Sequence, residues 1–205
     1  MTLVFCSAQN LDRLVTIYRA VVQTRKTMAI DLYTAFTLHK LTCLSNRLPQ
    51  WERPEVRVVP WMYQQQRLAD AGHGEFVEAT RPKWTNMRKM KARGKDIVLL
   101  MRSNRKMDNI ETALGDESRL VQVLWSMWDG YWADDQHVRP FCEKYGINRT
   151  YVHTSGHASW SDLERLIEGL KPVAVVPIHT EHAGVFAKHF NNVILPSDGE
   201  SVTMR

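Results

Sequence analysis

Short apolar runs alternate along this chain with amphipathic stretches, a pattern that predicts parallel strands joined by helices. Residues 3–6, 27–30, 56–59 and 120–124 read as strands, and 96–101 is the most continuous, with Ile97-Val-Leu-Leu-Met101 apolar throughout. Between them, Leu11, Leu14, Val15, Tyr18 and Val22 recur at helical spacing with Asn10 placed to cap. Asp31 is placed to cap a second helix over 32–44, and 137–145 reads as a helix closed by Gly146. Residues 61–95 are polar and helical in part. A second block follows from 147. It opens with a strand over 150–153 and continues with a helix whose capping box is Ser161 and Glu164. That helix carries Leu163, Leu166, Ile167 and Leu170 on one stripe and stops at Pro172. A strand over 173–178, a helix over 182–190 and a strand pair, 193–195 with 201–204, complete the expectation. The predicted class is α/β: a mostly parallel sheet flanked by helices over 1–146, then a second block over 147–205.

Composition sharpens this picture in three ways. The 205 residues are 44% hydrophobic, enough to build a core in one large domain or two small ones. No apolar run reaches the roughly 20 residues that span a bilayer, and the first residues lack the features of a signal peptide. Cys6, Cys43 and Cys142 are odd in number and form no CxxC pair, so they read as reduced structural thiols of a cytoplasmic protein.

Charge is uneven. Of 27 basic residues ten fall within 81–106, including Arg81, Lys83, Arg88, Lys89, Lys91 and Arg93, against the single acid Asp96. The rest of the chain holds 17 basic and 21 acidic residues, so the +5 total conceals one basic segment on an acidic background. Such a segment is either a solvated helix face or a surface that attracts a polyanion such as RNA.

Candidate chemistry lies where parallel strands end, since ligands bind outside the carboxyl ends of such sheets. Those ends carry 6–10, 101–104, 125–130, His153-Thr-Ser-Gly-His157 and His179-Thr-Glu181. Imidazole both transfers protons near neutral pH and binds transition metals. A glycine between two histidines lets backbone N–H groups approach a phosphate. Ser7, Ser103 and Asp129, taken singly, are better explained as caps and turns. A self-contained metal site from His153, His157, His179 and His182 is open on spacing alone.

The segments His153-Thr-Ser-Gly-His157-Ala-Ser, Lys171-Pro172 and Val176-Pro177-Ile-His179-Thr-Glu181 resemble the last two motifs of β-CASP metallo-β-lactamase-fold nucleases, the ribonuclease J-like group. Residues 7–13, 30–35 and 125–131 are similar to opening and later parts of the β-CASP insert. The resemblance implies a β-CASP domain over 1–146 and the C-terminal part of a metallo-β-lactamase αββα domain over 147–205. It implies that His157 is the general acid that protonates the leaving oxygen and that His179 binds one of two zinc ions. DNA-acting members typically carry valine at the last position, so His179 favours RNA. His153, Ser155 and Gly156 correspond to contacts with an RNA phosphate, and Gln9 and Asn10 fall near a second such contact.

The family's HxHxDH motif has no counterpart, and no HxH occurs anywhere in the sequence. A two-metal phosphodiesterase needs about six or seven ligands, and His179 supplies one. The expectation is therefore the C-terminal portion of a zinc-dependent ribonuclease, inactive alone. Its partners would be RNA and either a complementing N-terminal metallo-β-lactamase half or a second copy. The alternative is a non-catalytic RNA-binding module built on the basic 81–106 segment.

Overall fold

The computed structural model describes residues 1–45, 47–153 and 158–202. They fall into two compact units, Met1–Thr154 and Ser155–Arg205.

The first unit is built on a sheet of six strands: β1 (Thr2–Phe5), β2 (Thr27–Asp31), β3 (Val56–Val59), β4 (Ile97–Met101), β5 (Gln122–Trp125) and β6 (Thr150–Tyr151). Their order is β3-β2-β4-β1-β5-β6, and every adjacent pair is parallel. Helices make the crossovers that parallel pairing demands. After β1 runs α1 (Leu11–Gln23); after β2, α2 (Leu32–Lys40). Between β3 and β4 come α3 (Met62–Asp70), α4 (Gly74–Thr80) and α5 (Met87–Arg93). After β4 comes α6 (Lys106–Leu114), and after β5 come α7 (Gly130–Ala133) and α8 (Val138–Tyr145).

Alternation along the strands sends side chains to two cores. Val4, Met28, Ile30, Val58 and Leu100 meet Leu14 and Val21 of α1, Leu38 of α2 and Leu68 of α3. Leu3, Phe5, Leu99, Met101 and Trp125 meet Met90 of α5, Ile110 and Leu114 of α6 and Phe141 of α8. The expected α/β class with a parallel, helix-flanked sheet is what the chain forms. Asn10 and Asp31 accept from the backbone N–H groups of Arg13 and Thr34, as their cap positions required. Thr150–Tyr151, expected to open the second block, instead extends the edge of this sheet by pairing with β5.

The second unit contains α9 (Trp160–Leu170) and α10 (Ala183–His189). Trp160 holds them together, its ring 5.1 Å from Phe186 and 4.8 Å from His189, with a 3.7 Å contact between His189 and Glu164. Three expectations need correction here. The helix is capped by Ser159, whose Oγ accepts from the Asp162 N–H, so its N-terminus lies two residues ahead of the proposed Ser161 cap. Residues 173–178 do not form a strand; a single parallel bridge joins Val175 to Val193. Nor do 193–195 pair with 201–202, and residues 203–205 lie outside the described residues. A strand needs a continuous partner, and one bridge cannot order the flanking Val173 and Ile178, which stay 87% and 79% exposed.

Candidate nucleic-acid site at the carboxyl edge of the sheet

Because all six strands are parallel, their carboxyl ends share one edge. Adjacent β1 and β4 there feed helices on opposite faces, α1 on one and α6 on the other. Such a divergence opens a crevice. Three clusters of polar side chains occupy this edge and its flank.

The first is centred on Arg13, at the third position of α1 and only 8% exposed. Its Nη1 donates to the Ser126 carbonyl at 3.3 Å and the Val152 carbonyl at 3.1 Å, and to the Ser126 hydroxyl. The same nitrogen lies 3.5 Å from His153 Nδ1. Ser126 Oγ in turn donates to the Val152 carbonyl at 2.5 Å. A buried arginine thus fastens the ends of β5 and β6 to the start of α1 and sets the position of His153.

The second cluster surrounds Asp31, at the end of β2. Its carboxylate accepts from Thr34 N at 2.8 Å, Thr34 Oγ1 at 2.7 Å, Gln64 Nε2 at 2.7 Å and Lys106 Nζ at 3.0 Å. Lys106 also lies over the rings of Trp61 and Tyr63, 5.2 Å from each. Burial pushes the Asp31 carboxyl upward, but Lys106 and the bonds from Thr34 and Gln64 outweigh it and hold the group below its ordinary value. Beside it, Cys6 is buried, which raises its thiol to about 12 against the opposing pull of Arg13. That thiol is not a nucleophile.

The third cluster flanks β6. Arg149 binds Asp129 at 2.6 Å and lies over Trp132 at 4.4 Å and Tyr151 at 5.4 Å. The Tyr151 ring is 6.1 Å from that of His153.

Against this geometry the sequence-based candidates separate. His153 and Asn10 come to the same edge through Arg13, although the Asn10 side chain is occupied as a helix cap. Gln9 is exposed in the β1–α1 loop, its N–H directed to Ser7 Oγ at 3.2 Å. Ser155, Gly156 and His157 lie outside the described residues. His179 is exposed in the second unit, on a left-handed backbone with φ of 55°.

The basic segment is not one surface. Arg102, Arg105 and Lys106 follow β4 at the carboxyl edge, whereas α5 returns toward the amino edge. There Lys91 donates to the Leu114 carbonyl at 2.9 Å and meets Glu117 at 3.3 Å. Arg81 pairs with Glu78 at 2.6 Å, and Lys83 donates to the Arg53 carbonyl at 2.9 Å. Arg88, Lys89 and Arg93 are exposed.

No group of three or more His, Cys, Asp or Glu side chains placed to hold a metal occurs among the described residues. The four-histidine site includes His157, which lies outside the described residues, and the donors described do not by themselves fit two zinc ions. Nor is any helix among the described residues long and apolar enough to cross a membrane.

Sequence reasoning gave no role to Arg13 or Ser126, counted Lys106 only within the basic segment, and read Asp31 as a cap only. The signal for Arg13 was an arginine three residues past the cap of the helix that leaves the central strand.

Residues 147–196, 50 of the 205, match a family model described as RMMBL, the Zn-dependent metallo-hydrolase RNA specificity domain. The matched stretch contains His153, His157 and His179, so the C-terminal resemblance rests on more than short motifs. No curated protein matches the sequence.

Proposed function

We propose that this chain is the C-terminal portion of a zinc-dependent β-CASP ribonuclease that hydrolyses RNA phosphodiester bonds. The match of residues 147–196 to an RNA specificity domain of zinc-dependent metallo-hydrolases carries this reading. In it, 1–146 is the β-CASP domain, His157 protonates the leaving oxygen and His179 is one ligand in a two-zinc site. His153, Ser155 and Gly156 contact a phosphate of the RNA, with Gln9 and Asn10 near a second. The remaining ligands, an HxHxDH motif among them, come from a further polypeptide segment, and without it the chain does not cleave. The exposed Leu166, Leu170, Val173 and Ile178 of the second unit support a requirement for such a segment.

The test is reconstitution. An N-terminal metallo-β-lactamase half carrying HxHxDH, added with zinc and end-labelled RNA, is expected to produce cleavage that neither polypeptide gives alone and that His157→Ala abolishes. Absence of cleavage from the reconstituted mixture, or cleavage indifferent to His157→Ala, would sink the proposal.

A second reading, a non-catalytic RNA-binding module, draws on the exposed Arg88, Lys89 and Arg93 of α5. It requires binding without cleavage that weakens steeply with salt and is lost when Lys89 and Arg93 are neutralised.

A further inference from the structure

Arg149, Tyr151 and His153 alternate along the edge strand β6 and its continuation, so their side chains share one face. What they present on that face is a row of planar groups. The Arg149 guanidinium lies 4.4 Å from the ring of Trp132 and 5.4 Å from that of Tyr151. Next along the row, the His153 ring is 6.1 Å from Tyr151 and tilted 30° to it. The row ends at Arg13, whose Nη1 is 3.5 Å from His153 Nδ1. At its other end Trp132 and Arg149 also line a surface groove with Glu143, Gly146 and Asn148.

Packing alone would account for a cation held between two rings at the end of a short strand. It does not account for Tyr151, which is 46% exposed and offers ring surface to solvent between Arg149 and His153. Single-stranded nucleic acid binds to such surfaces, with bases stacked on aromatic and guanidinium faces and cations along the backbone. A peptide partner would need no succession of flat faces. Arg149, Tyr151 and His153 also fall inside the segment that matches the RNA specificity model.

We infer that the Trp132–Arg149–Tyr151–His153 row is a base-stacking track for single-stranded RNA, leading the strand toward the phosphate contact at His153. This rests on the RNA reading above and adds how the strand is held before any bond is cut. Tyr151 supplies the open stacking face. Arg149, clamped by Asp129 at 2.6 Å, keeps that ring in place.

The full chain is titrated by fluorescence anisotropy with a single-stranded oligouridylate of about ten nucleotides, within the usual site size, and with an abasic ribose-phosphate oligomer of equal length. The intact oligomer is expected to bind at least ~5-fold more tightly than the abasic one. Tyr151→Ala and Tyr151→Leu should each weaken the intact oligomer by ~5- to 100-fold and leave the abasic one unchanged, whereas Tyr151→Phe binds as the native chain does. Leucine keeps apolar bulk on the strand, and comparison of melting temperatures separates unfolding from lost stacking. Equal binding of the two oligomers by the native chain, or native affinity in Tyr151→Leu, overturns the track and leaves the RNA reading standing. If neither oligomer binds the native chain, both fall.

Discussion

The two units of this chain both carry amphipathic helices and apolar runs, yet reach opposite ends of the burial scale. In the first, a parallel sheet clothed by helices on both faces removes strand after strand from water, and Leu3, Phe5, Leu99 and Trp125 are wholly or almost wholly buried. In the second, no described residue is buried, and Leu170 at the end of an amphipathic helix is 69% exposed. Amphipathicity therefore does not decide burial. A helix stripe disappears from water only where a sheet lies opposite it, and the second unit offers α9 a single bridge and one tryptophan.

The contrast can be broken at its extremes. Trp125→Ala, which empties the meeting point of β5 with Phe5 and Trp132, should cost about 3–5 kcal/mol in denaturant unfolding, while Leu170→Ala should change it by less than about 0.5 kcal/mol. A large loss from Leu170→Ala would mean that the apolar face of α9 is covered in solution.

The polar interior sharpens the comparison next. Asp31→Asn removes the charge that balances Lys106 and should destabilise the first unit by about 1–3 kcal/mol at neutral pH. The Asp31 carboxyl is held below its ordinary value in the folded state, so the unfolded chain takes up its proton first. Its stabilisation is thus complete above about pH 4 and is lost as pH falls through the lower folded value. Urea titrations between neutral and acid pH should show a stability loss for the native chain in that window that is reduced in Asp31→Asn. An unchanged acid slope would remove Asp31 from the account.

Smallest in energy is a chemical distinction. Cys43 is exposed, whereas burial pushes Cys142 to about 11 and Cys6 to about 12. Alkylation of the native chain near neutral pH should stop after one thiol, with all three reacting in denaturant. Rapid modification of Cys6 would show that the carboxyl edge opens readily.

Sequence pattern located the core strands well, because the apolar runs at 27–30, 56–59 and 97–101 need no partner to be recognised. It failed where structure depends on distant pairing. The run 173–178 is as apolar as a strand, yet whether it becomes one is settled by what lies beside it. The helix α6 was passed over although Met107, Ile110 and Leu114 stand at the i, i+3, i+7 spacing of a helical stripe. At the candidate site, His153 was found through its motif. Its setting was not, since Arg13 and Ser126 are 113 residues apart and nothing local announces that a guanidinium closes that distance. Asp31 carried a single legible role, its cap, while the Gln64 and Lys106 bonds depend on elements 33 and 75 residues away.

His179 holds one further consequence. Its φ of 55° is a conformation that a branched side chain adopts only at a steric penalty, since both Cβ substituents crowd the neighbouring carbonyl. Exchange for valine would therefore ask two things of this position at once: loss of the imidazole and a different path for the main chain. If His179 has the role proposed above, a switch in substrate preference here would not be reached by one substitution with the loop unchanged; the turn from Pro177 to Glu181 would have to be rebuilt with it.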